Sequence, residues 1–351
     1  MMDALRRFDA RRLEALTGRF RNARVAVLGD FFLDKYLDSD PALDEPSLET
    51  GRTAHQVVAI RHSPGAAGTV VNNLAALGAG ALVPIGFTGD DGEGWELRKD
   101  LAALGCELDH LHVEPERVTP TYLKPRDRTR PGLEGEHDRY DIKNFRPTPA
   151  LVERAVLASL EAELPRADAL IVMDQVREEG VGVLTPPVIA AVSASVRRFP
   201  KVVFWADSRG RIRRYRYLTL KVNQFELVDE VNPSPDARVS DAVVECETER
   251  LSASLESPVF ATLGERGVRV SGPEPVTVPP VRVSGPVDPT GAGDSFTAGT
   301  VLALTAGATR PEAALVGNLV ASVTVRQLAT TGTASPAELV PALALWKEQN
   351  P

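Results

Sequence analysis

The sequence predicts an α/β fold in which a mostly parallel central sheet is flanked by helices. Short runs rich in β-branched residues alternate with amphipathic stretches along most of the chain, as is typical of strands joined by crossover helices. The 351 residues are 43% hydrophobic and 25% charged, which is ordinary for a globular protein and sufficient for a sizeable core. This length fits two small domains or one large α/β domain with an appendage.

The periodicities predict five strands and six helices in the order that such a fold requires. The strands lie at 25–28, 82–87, 169–173, 202–205 and 259–263. The helices lie at 70–77, 95–104, 152–163, 187–198, 295–306 and 311–328.

Two long stretches interrupt the alternation. Residues 35–61 form a polar, acidic loop that leads into a predicted strand at 54–60, and residues 113–145 contain a β-like run at 121–123 followed by many charges. Insertions of this length inside a compact domain commonly form lids. We therefore predict a small β lid made jointly by the two insertions, although two solvated loops are the alternative. The α/β core would then comprise 1–34, 62–112 and 146–351.

Charge and cysteine content narrow the class of protein. The net charge of −8 argues against a nucleic-acid partner, because phosphate backbones are held by a surplus of Lys and Arg. Cys106 and Cys246 stand far apart and suggest neither a disulfide framework nor a zinc site. The first 20 residues mix charges without an apolar stretch, and no run approaches a membrane span. We therefore expect a cytoplasmic protein without a membrane partner.

The most informative stretch is Asp288-Pro-Thr-Gly-Ala-Gly-Asp294, which opens an apolar helix. The small side chains of Gly291, Ala292 and Gly293 allow backbone N–H groups to approach an oxyanion closely, and the helix dipole favours negative charge there. Asp294 lies in the first turn, where its carboxylate can accept a proton from an attacking hydroxyl. The sequence thus predicts phosphoryl transfer to a hydroxyl, and a glycine-rich turn capped by an aspartate is the structural alternative.

This string resembles the signature of the ribokinase-like (PfkB) sugar kinases, and further segments match that family in the expected order from about residue 25 to 335. Residues 29–34 resemble the first strand with its substrate-binding aspartate, 64–69 the sugar loop, 221–226 the N-x-x-E motif and 262–267 a nucleotide-side turn. The run Gly29-Asp-Phe-Phe-Leu-Asp34-Lys-Tyr is most similar to the heptose-phosphate kinases of ADP-heptose synthesis. The resemblance implies a ribokinase-like three-layer core with a small β lid, and ATP as phosphoryl donor.

The resemblance also implies roles for individual residues on the catalytic and nucleotide sides. Asp294 is the expected base, and the N–H groups of Gly291, Ala292 and Gly293 form the expected anion hole. The expected nucleotide-side residues are Asp207, Lys221, Asn223, Glu226, Thr262, Gly264, Gly267 and Asn318. Asn223 and Glu226 would hold Mg²⁺ through waters, because Mg²⁺ dehydrates reluctantly. Asp288 would border a monovalent-cation site, for example for K⁺.

Several of these residues have structural alternatives. Glu226 also reads as the first-turn acid of a helix that Asn223 caps, and Lys221 as a lysine at a strand edge. Asp207 closes the run KVVFWAD, at the sheet edge where ligand-facing residues lie in such folds. The basic segment RGRIRRYRY that follows it is more typical of a solvated face than of a phosphate site.

On the acceptor side the expected contacts are Asp34, Gly65, Ala66, Thr69 and Lys124. The Asp34 carboxylate can accept hydrogen bonds from two sugar hydroxyls, and Lys124 can neutralise a phosphate already on the substrate. The family's sugar loop usually reads G-G-A-A-N, whereas this chain reads Gly65-Ala66-Ala67-Gly68-Thr69. A methyl replaces a hydrogen and a hydroxyl replaces an amide, so either a different substrate or a loss of substrate binding is expected.

The resulting hypothesis is an ATP-dependent kinase that phosphorylates a sugar or sugar phosphate, with a heptose phosphate favoured. A catalytically silent protein that binds sugar or nucleotide is the alternative from another class, and a nucleoside or vitamin-precursor kinase is the alternative within the kinases. An open lid sheet leaves exposed edges, so we also expect a homodimer that forms through the lid.

Overall fold

A computed structural model describes residues 5–234 and 236–351 of the chain. The strands within these ranges are β1 (Arg24–Gly29), β2 (Phe31–Ser39), β3 (Glu45–Pro46), β4 (Thr53–Ala54), β5 (Val57–Ala66), β6 (Ala81–Gly89), β7 (Leu111–Glu114), β8 (Thr121–Asp127), β9 (Tyr140–Ile142), β10 (Ala169–Asp174), β11 (Val203–Ser208), β12 (Thr219–Asn223), β13 (Val259–Thr262), β14 (Val268–Val270) and β15 (Val276–Val278). The helices are α1 (Ala10–Thr17), α2 (Ala67–Ala76), α3 (Gly92–Ala103), α4 (Ala150–Glu163), α5 (Pro186–Arg198), α6 (Gln224–Leu227), α7 (Asp241–Leu255), α8 (Ala292–Thr305), α9 (Arg310–Thr324) and α10 (Pro336–Gln349).

The core is built on a nine-stranded sheet, which confirms the predicted α/β class. Its order is β15-β14-β13-β12-β11-β10-β1-β6-β7, and the strands from β13 to β7 all pair in parallel. The last two strands, β14 and β15, add in the antiparallel direction. Every residue of β10 is buried, as expected for a parallel strand covered on both faces.

Helices cover the two faces of this sheet and create three layers. Apolar side chains of α1, α2, α3, α8, α9 and α10 form the hydrophobic cluster on one face. Those of α4, α5 and α7 form the cluster on the other face. Helix α8 is buried at every position from 295 to 303, which explains why its sequence is apolar and small-sided all round.

A second sheet of four strands, in the order β5-β2-β8-β9, forms the predicted β lid. Strand β2 pairs with β5 in the antiparallel and with β8 in the parallel direction. Residues 35–39, expected in a loop, belong to β2, and the strand expected at 54–60 runs instead from Val57 to Ala66. The predicted boundaries at 34/35 and 61/62 therefore fall inside β2 and β5, because the strand pairing continues to the edge of the core. Val113 belongs to core strand β7.

The topology brings polar residues from several strands to one edge of the large sheet. Asp30 follows β1, and Asp174, Asp207, Asn223 and Thr262 lie at the carboxyl ends of β10 to β13. Parallel neighbours end at the same edge, where open α/β sheets bind ligands.

None of the helices in residues 5–234 and 236–351 combines the length and the apolar composition that a membrane crossing requires.

Candidate active site

The amino end of α8 exposes backbone donors. Gly291 precedes the helix with φ 77° and ψ 0°, a left-handed conformation that favours glycine. Its carbonyl accepts from the Ser295 N–H at 2.9 Å, and the Ala292 N–H donates to Pro289 at 3.1 Å. Within the described ranges the N–H groups of Gly293 and Asp294 donate to no protein acceptor. Two donors at the positive end of a 14-residue helix therefore remain available to an anion.

Asp294 lies in the first turn of α8 with an uncommitted carboxylate. Among the described residues nothing donates a hydrogen bond to this side chain or pairs with it. Burial and the charge of Asp207 raise the pKa of Asp294, Lys221 partly opposes them, and the resulting pKa is about 7. A carboxylate with a pKa near neutrality, beside free N–H groups, has the properties of a general base.

A buried ion pair lies beneath these donors. Asp207 on β11 and Lys221 on β12 are register partners, and the Lys221 Nζ is 2.8 Å from the Asp207 Oδ2. A Cβ atom added to Gly293 would lie 2.9 Å from that Nζ, so the glycine allows the ammonium to approach the helix end. Burial lowers the pKa of Lys221, but Asp207 and Glu226 outweigh it, so the pKa is raised and the lysine stays charged. The strand-edge interpretation of Lys221 is therefore incomplete.

Asn223 and Glu226 form a capping box at the start of α6. The Asn223 Oδ1 accepts from the N–H groups of Phe225 at 2.8 Å and Glu226 at 2.9 Å, and the Glu226 Oε2 accepts from the Asn223 N–H at 2.8 Å. Both residues therefore have the helix-capping role that the sequence also allowed. It leaves the Glu226 Oε1 without a partner in the described chain. Burial raises the pKa of Glu226, which Lys221 partly offsets.

This arrangement fits Mg²⁺ held mainly by water and phosphate. The described residues contain no cluster of three or more His, Cys, Asp or Glu side chains arranged to bind a metal directly. Mg²⁺ commonly uses one or two protein carboxylates and keeps several waters. The Oε1 of Glu226, beside Asn223, has no protein partner among the residues described and is available for such a role.

The remaining nucleotide-side residues gather where β13 turns into β14. Thr262 is the register partner of Asn223, and its hydroxyl donates to the Val222 carbonyl at 3.2 Å. Gly264 has φ 59°, and no atom lies within 4 Å of the position that a Cβ would take, so it forms an exposed turn. The structure therefore brings Thr262 next to Asn223 and leaves Gly264 at the rim.

Gly267 and Asn318 contact the segment after β15. A Cβ on Gly267 would overlap the Val278 carbonyl oxygen, and the φ of 85° independently favours glycine. The Asn318 Nδ2 donates to Val278 at 3.3 Å and to Pro279 at 3.0 Å. Both residues shape this edge through backbone contacts, and the Asn318 Oδ1 keeps its acceptor capacity.

On the acceptor side, Asp34 projects from β2 into a buried setting. The Lys124 Nζ lies 3.4 Å from the Asp34 Oδ1 and 3.2 Å from the Tyr36 hydroxyl. A Cβ on Gly65 would come within 3.0 Å of the Asp34 Cγ, so the glycine makes room for the carboxylate. The Asp34 Oδ1 is buried and accepts no hydrogen bond from the described residues. Burial raises the pKa of Asp34, and Lys124 opposes the shift.

Thr69, which replaces the asparagine usual in the family's sugar loop, has a packing role. Its hydroxyl is buried and donates to the Pro64 carbonyl at 3.5 Å. Its Cγ2 lies 3.4 Å from the position of a Cβ on Gly291, so Thr69 packs against the glycine turn before α8. The sugar loop and the glycine turn before α8 are therefore in direct contact.

Ala66, which differs from the residue usual in the family's sugar loop, lies at a strained backbone position. Ala66 precedes α2 with φ 54° and ψ −118°, a conformation that normally requires glycine. A residue with a Cβ in such a region costs about 1–3 kcal/mol, and the strain lies directly beside Gly65 under Asp34.

Replacing Ala66 with glycine is expected to raise the free energy of unfolding by about 1 kcal/mol. The gain from relieved strain, about 1–3 kcal/mol, exceeds the cost of the extra unfolded-state entropy of glycine, about 0.5–1 kcal/mol. Urea unfolding measures the change. The control is Ala75→Gly inside α2, expected to lower stability by about 1 kcal/mol. Equal losses in both variants would contradict a strained Ala66.

Asp288 joins the glycine turn to the segment after α9. Its Oδ1 accepts from the Thr290 N–H and its Oδ2 from the Ala329 N–H, both at 3.0 Å. Each carboxylate oxygen keeps a further lone pair. The residue is buried and therefore orders the turn whether or not a cation binds beside it.

Comparison with known proteins identifies the family. Residues 25–338 match the model of the pfkB family of carbohydrate kinases. The chain belongs to this family. The expected resemblance and the expected enzyme class, a carbohydrate kinase, are thereby confirmed.

Individual relatives of this pfkB-family kinase agree with the assignment. It is similar to the bifunctional protein HldE of Halorhodospira halophila, with 32% identity over 330 residues, or 92% of this chain and 64% of that protein. The HldE of Geotalea uraniireducens is 30% identical over 340 residues, 95% of this chain and 65% of that protein. The chain thus spans slightly less than two thirds of the length of these relatives.

Solved structures share the fold of the pfkB-family kinase. Phosphofructokinase-2 from Escherichia coli in complex with potassium superposes with a TM-score of 0.70 at 17% identity, covering 92% of this chain and 99% of that one. Ribokinase from Arabidopsis thaliana complexed with ribose and ATP gives 0.64 at 16% identity, covering 92% and 98%. These likenesses confirm the ribokinase-like three-layer fold expected from the sequence.

The sequence analysis of the pfkB-family kinase missed a buried acid beneath the site. Asp30 accepts from the N–H groups of Gln175 at 3.0 Å, Val176 at 3.1 Å and Val183 at 2.7 Å. Burial and nearby Asp174 raise the pKa of Asp30, the three N–H donors oppose them, and the resulting pKa is about 6. The position of Asp30 immediately after a buried parallel strand was the signal by which the sequence could have revealed it. Asp30 fixes the 175–183 loop to the core.

The basic segment after β11 is mostly neutralised inside the pfkB-family kinase. Buried Arg211 pairs with Asp174, whose Oδ2 also accepts from Ser208 at 2.7 Å and Tyr215 at 3.1 Å. The outer arginines are paired with surface acids: Arg213 with Asp229 and Arg214 with Glu179. The expectation of a solvated face was therefore wrong for Arg211.

Proposed function

We propose that this chain transfers the terminal phosphoryl group of ATP to a hydroxyl of a sugar or sugar phosphate, with Asp294 as the general base. The observation that carries the proposal is the uncommitted Asp294 carboxylate, with a pKa of about 7, beside the free N–H groups that open α8. A base and an anion hole at one helix end are the two parts that in-line phosphoryl transfer needs.

The proton and the phosphoryl group move in a balanced sequence. The acceptor hydroxyl oxygen forms a bond to the γ-phosphorus while Asp294 takes its proton. The bond from that phosphorus to the bridging oxygen breaks, and ADP leaves with the electron pair. The free N–H groups of Gly293 and Asp294 stabilise the charge on the transferring oxygens, whereas the Ala292 N–H, expected in the anion hole, is committed to Pro289. Asp294 later releases its proton to solvent.

The nucleotide and its metal ion would lie between the ends of β11 to β13 and the start of α8. Mg²⁺ there neutralises charge on the phosphates. Glu226 and Asn223 would hold it through waters, and Lys221 adds a fixed positive charge below the helix end, kept in position by Asp207. Thr262, Gly264, Gly267 and Asn318 would shape the adenosine side. Asp288 would border a K⁺ site, as the potassium complex of the phosphofructokinase-2 neighbour suggests.

The acceptor would lie between the core and the lid. Asp34 would accept hydrogen bonds from sugar hydroxyls, with Lys124 holding the carboxylate through an ion pair of 3.4 Å to the Oδ1. Gly65, Ala66 and Thr69 would form the loop beneath. A heptose-phosphate-like acceptor is favoured because relatives named HldE are about 30% identical across more than nine tenths of the chain.

The test is a panel of acceptors with ATP and Mg²⁺, read by ³¹P NMR of the products. We expect phosphate on a sugar or sugar phosphate and little on nucleosides or vitamin precursors. ATP binding by calorimetry without turnover on any acceptor would favour a silent protein, an outcome that the Ala66 and Thr69 departures motivate. Turnover of nucleosides alone would favour the other kinase class.

We further propose that two copies associate through the lid. Both edge strands of the lid carry exposed apolar side chains, Val57, Val58 and Ile60 on β5 and Tyr140 and Ile142 on β9. Covering these edges with a second copy removes both apolar surface and unpaired strand groups from water.

Replacing Ile60, which is 57% exposed, with aspartate is expected to convert the dimer to monomer. Association would bury the introduced carboxylate at the edge of the lid sheet without a partner, and the loss of its hydration opposes association. Sedimentation equilibrium measures the mass. The matched control is Leu151→Asp on α4, a residue 68% exposed and outside the lid, which should leave the mass unchanged. A monomeric parent protein would contradict the proposal.

A further inference from the structure

A cavity with polar and aromatic lining adjoins the proposed acceptor site. Four aromatic side chains line it: Phe31 and Phe32 of β2 and Tyr122 of β8 in the lid sheet, and Phe87 of core strand β6. Its rim carries four cations, Arg139 and Lys143 from the lid and Arg177 and Arg209 from the core side. The mechanism proposed above uses none of them.

Two of the four rim cations share one acidic partner. Arg139 donates to both carboxylate oxygens of Asp141, at 2.6 and 3.1 Å, and the Lys143 Nζ lies 3.7 Å from the same carboxylate. The guanidinium groups of Arg177 and Arg209 have no hydrogen-bond or ion-pair partner in residues 5–234 and 236–351. Arginine without a protein partner at a cavity rim offers a planar donor set that matches carboxylate or phosphate.

The cavity lies next to the reacting groups. Phe32 is two residues before Asp34 on β2, so both side chains point to the same face of the strand, and its ring packs edge-on against Tyr122 at 5.1 Å. Arg209 follows Asp207 by two residues at the end of β11 and lowers the pKa of both Asp34 and Asp294. An acceptor bound at Asp34 can therefore extend into the cavity.

The core side of the rim is held in place before any ligand binds. The Asp30 carboxylate accepts three N–H groups from the loop that carries Arg177. Gly182 in that loop packs so closely that a Cβ would lie 2.5 Å from the Asp30 Oδ1. The Arg209 N–H donates to the Asp174 carbonyl at 3.0 Å. Pre-ordered backbone lowers the entropic cost of binding an anion here.

We infer that this cavity is a subsite for an anionic substituent of the acceptor, a phosphate ester or a carboxylate, held by Arg177 and Arg209 at the end remote from the reacting hydroxyl. The inference rests on the proposed kinase function and moves the phosphate contact away from Lys124. Lys124 is committed to Asp34 and Tyr36, and so orients the hydroxyl-binding carboxylate instead. Acceptors without a negative group would lose this contact.

The test compares three acceptors of one chain length that end in a hydroxyl, a phosphate ester or a carboxylate. Arg177→Ala is expected to raise KM for the preferred anionic acceptor about 10- to 100-fold, the value of one charged hydrogen bond. KM for the neutral acceptor and for ATP should stay unchanged. Whichever anionic acceptor loses more identifies phosphate or carboxylate as the bound group. Arg209→Ala should add a change in kcat, because Arg209 also acts on Asp294.

Arg216→Ala is the matched control, since Arg216 lies in the same basic segment and contacts the Ser254 carbonyl outside the cavity. Equal KM changes for neutral and anionic acceptors, a change confined to ATP, or no change in Arg177→Ala would overturn the subsite. If no acceptor is phosphorylated, calorimetry with the sugar phosphate tests the subsite separately from the kinase function. Binding that Arg177→Ala weakens tenfold and Arg216→Ala does not would support the subsite although the kinase proposal had failed. Binding equal in all three proteins, or none, would reject it.

Discussion

The Asp294→Asn enzyme is expected to turn over about 10³ times more slowly than the parent, with KM for ATP and for the acceptor changed less than about threefold. Asparagine keeps the shape of the side chain but cannot take the proton of the attacking hydroxyl, and general-base catalysis contributes about 10²–10⁴-fold. Steady-state kinetics with the best acceptor of the panel measure both parameters. A parent-like kcat would remove Asp294 from the role of base.

The pH profile of the same pair gives an independent check. Burial raises the pKa of Asp294 to about 7, so the carboxylate is increasingly protonated below that pH and loses its capacity to accept a proton. We expect kcat/KM of the parent to fall as pH drops through about 7, approaching tenfold per unit at lower pH. This fall of kcat/KM at low pH should be absent in Asp294→Asn. A fall that persists in the variant would have to come from another group.

Replacing Lys221 with methionine is expected to lower the free energy of unfolding by about 3–5 kcal/mol. The substitution leaves the Asp207 carboxylate buried without its partner at 2.8 Å, and removing one member of a buried pair has costs of this size. It should also lower activity, because the ammonium lies beside Gly293 and opposes the raised pKa of Asp294. Denaturant unfolding and steady-state kinetics measure the two effects.

The double variant Lys221→Met/Asp207→Leu separates these effects. Removing both charges eliminates the unpaired carboxylate, so most of the lost stability should return. Activity should not return, since the cation below the helix end is still missing. The control is Arg213→Ala at the exposed pair with Asp229, expected to cost less than about 1 kcal/mol. A stable but inactive single variant would show that the pair serves the chemistry alone.

The parts of the site that the sequence predicted are those set by local geometry. The turn at Gly291 and the first turn of α8 depend on a few consecutive residues, whose small side chains and acid can be read directly. The capping box of Asn223 and Glu226 is equally local. Five buried strands and six helices were recognisable because their apolar periodicity survives in any arrangement of neighbours.

The features that escaped prediction depend on partners far away in the chain. Residues 35–39 belong to strand β2 and not to the expected loop, and β5 starts at Val57 and ends at Ala66, both later than expected. The limits of these strands are set by pairing across the sheet and not by local propensity. Within one basic segment, only the fold decides that Arg211 is buried against Asp174 while Arg209 stays free. The strain at Ala66 is invisible without its dihedral angles.

For the proposed kinase, the direct passage from β1 into β2 bears on how transfer to a sugar is favoured over transfer to water. Asp34 belongs to the lid sheet and Asp294 to a core helix, and the two sheets are linked at Asp30, whose N–H donates to Met173 at 3.2 Å and whose carbonyl accepts from Ala67 at 3.1 Å. In the proposed mechanism, Asp34 binds the acceptor from the lid sheet and Asp294 deprotonates it from the core, so a productive acceptor has to reach both sheets at once. A water molecule is much smaller than a sugar and makes fewer of these contacts, so it would be positioned less well for attack. If the proposal holds, futile hydrolysis of ATP should therefore be slow compared with transfer to the sugar.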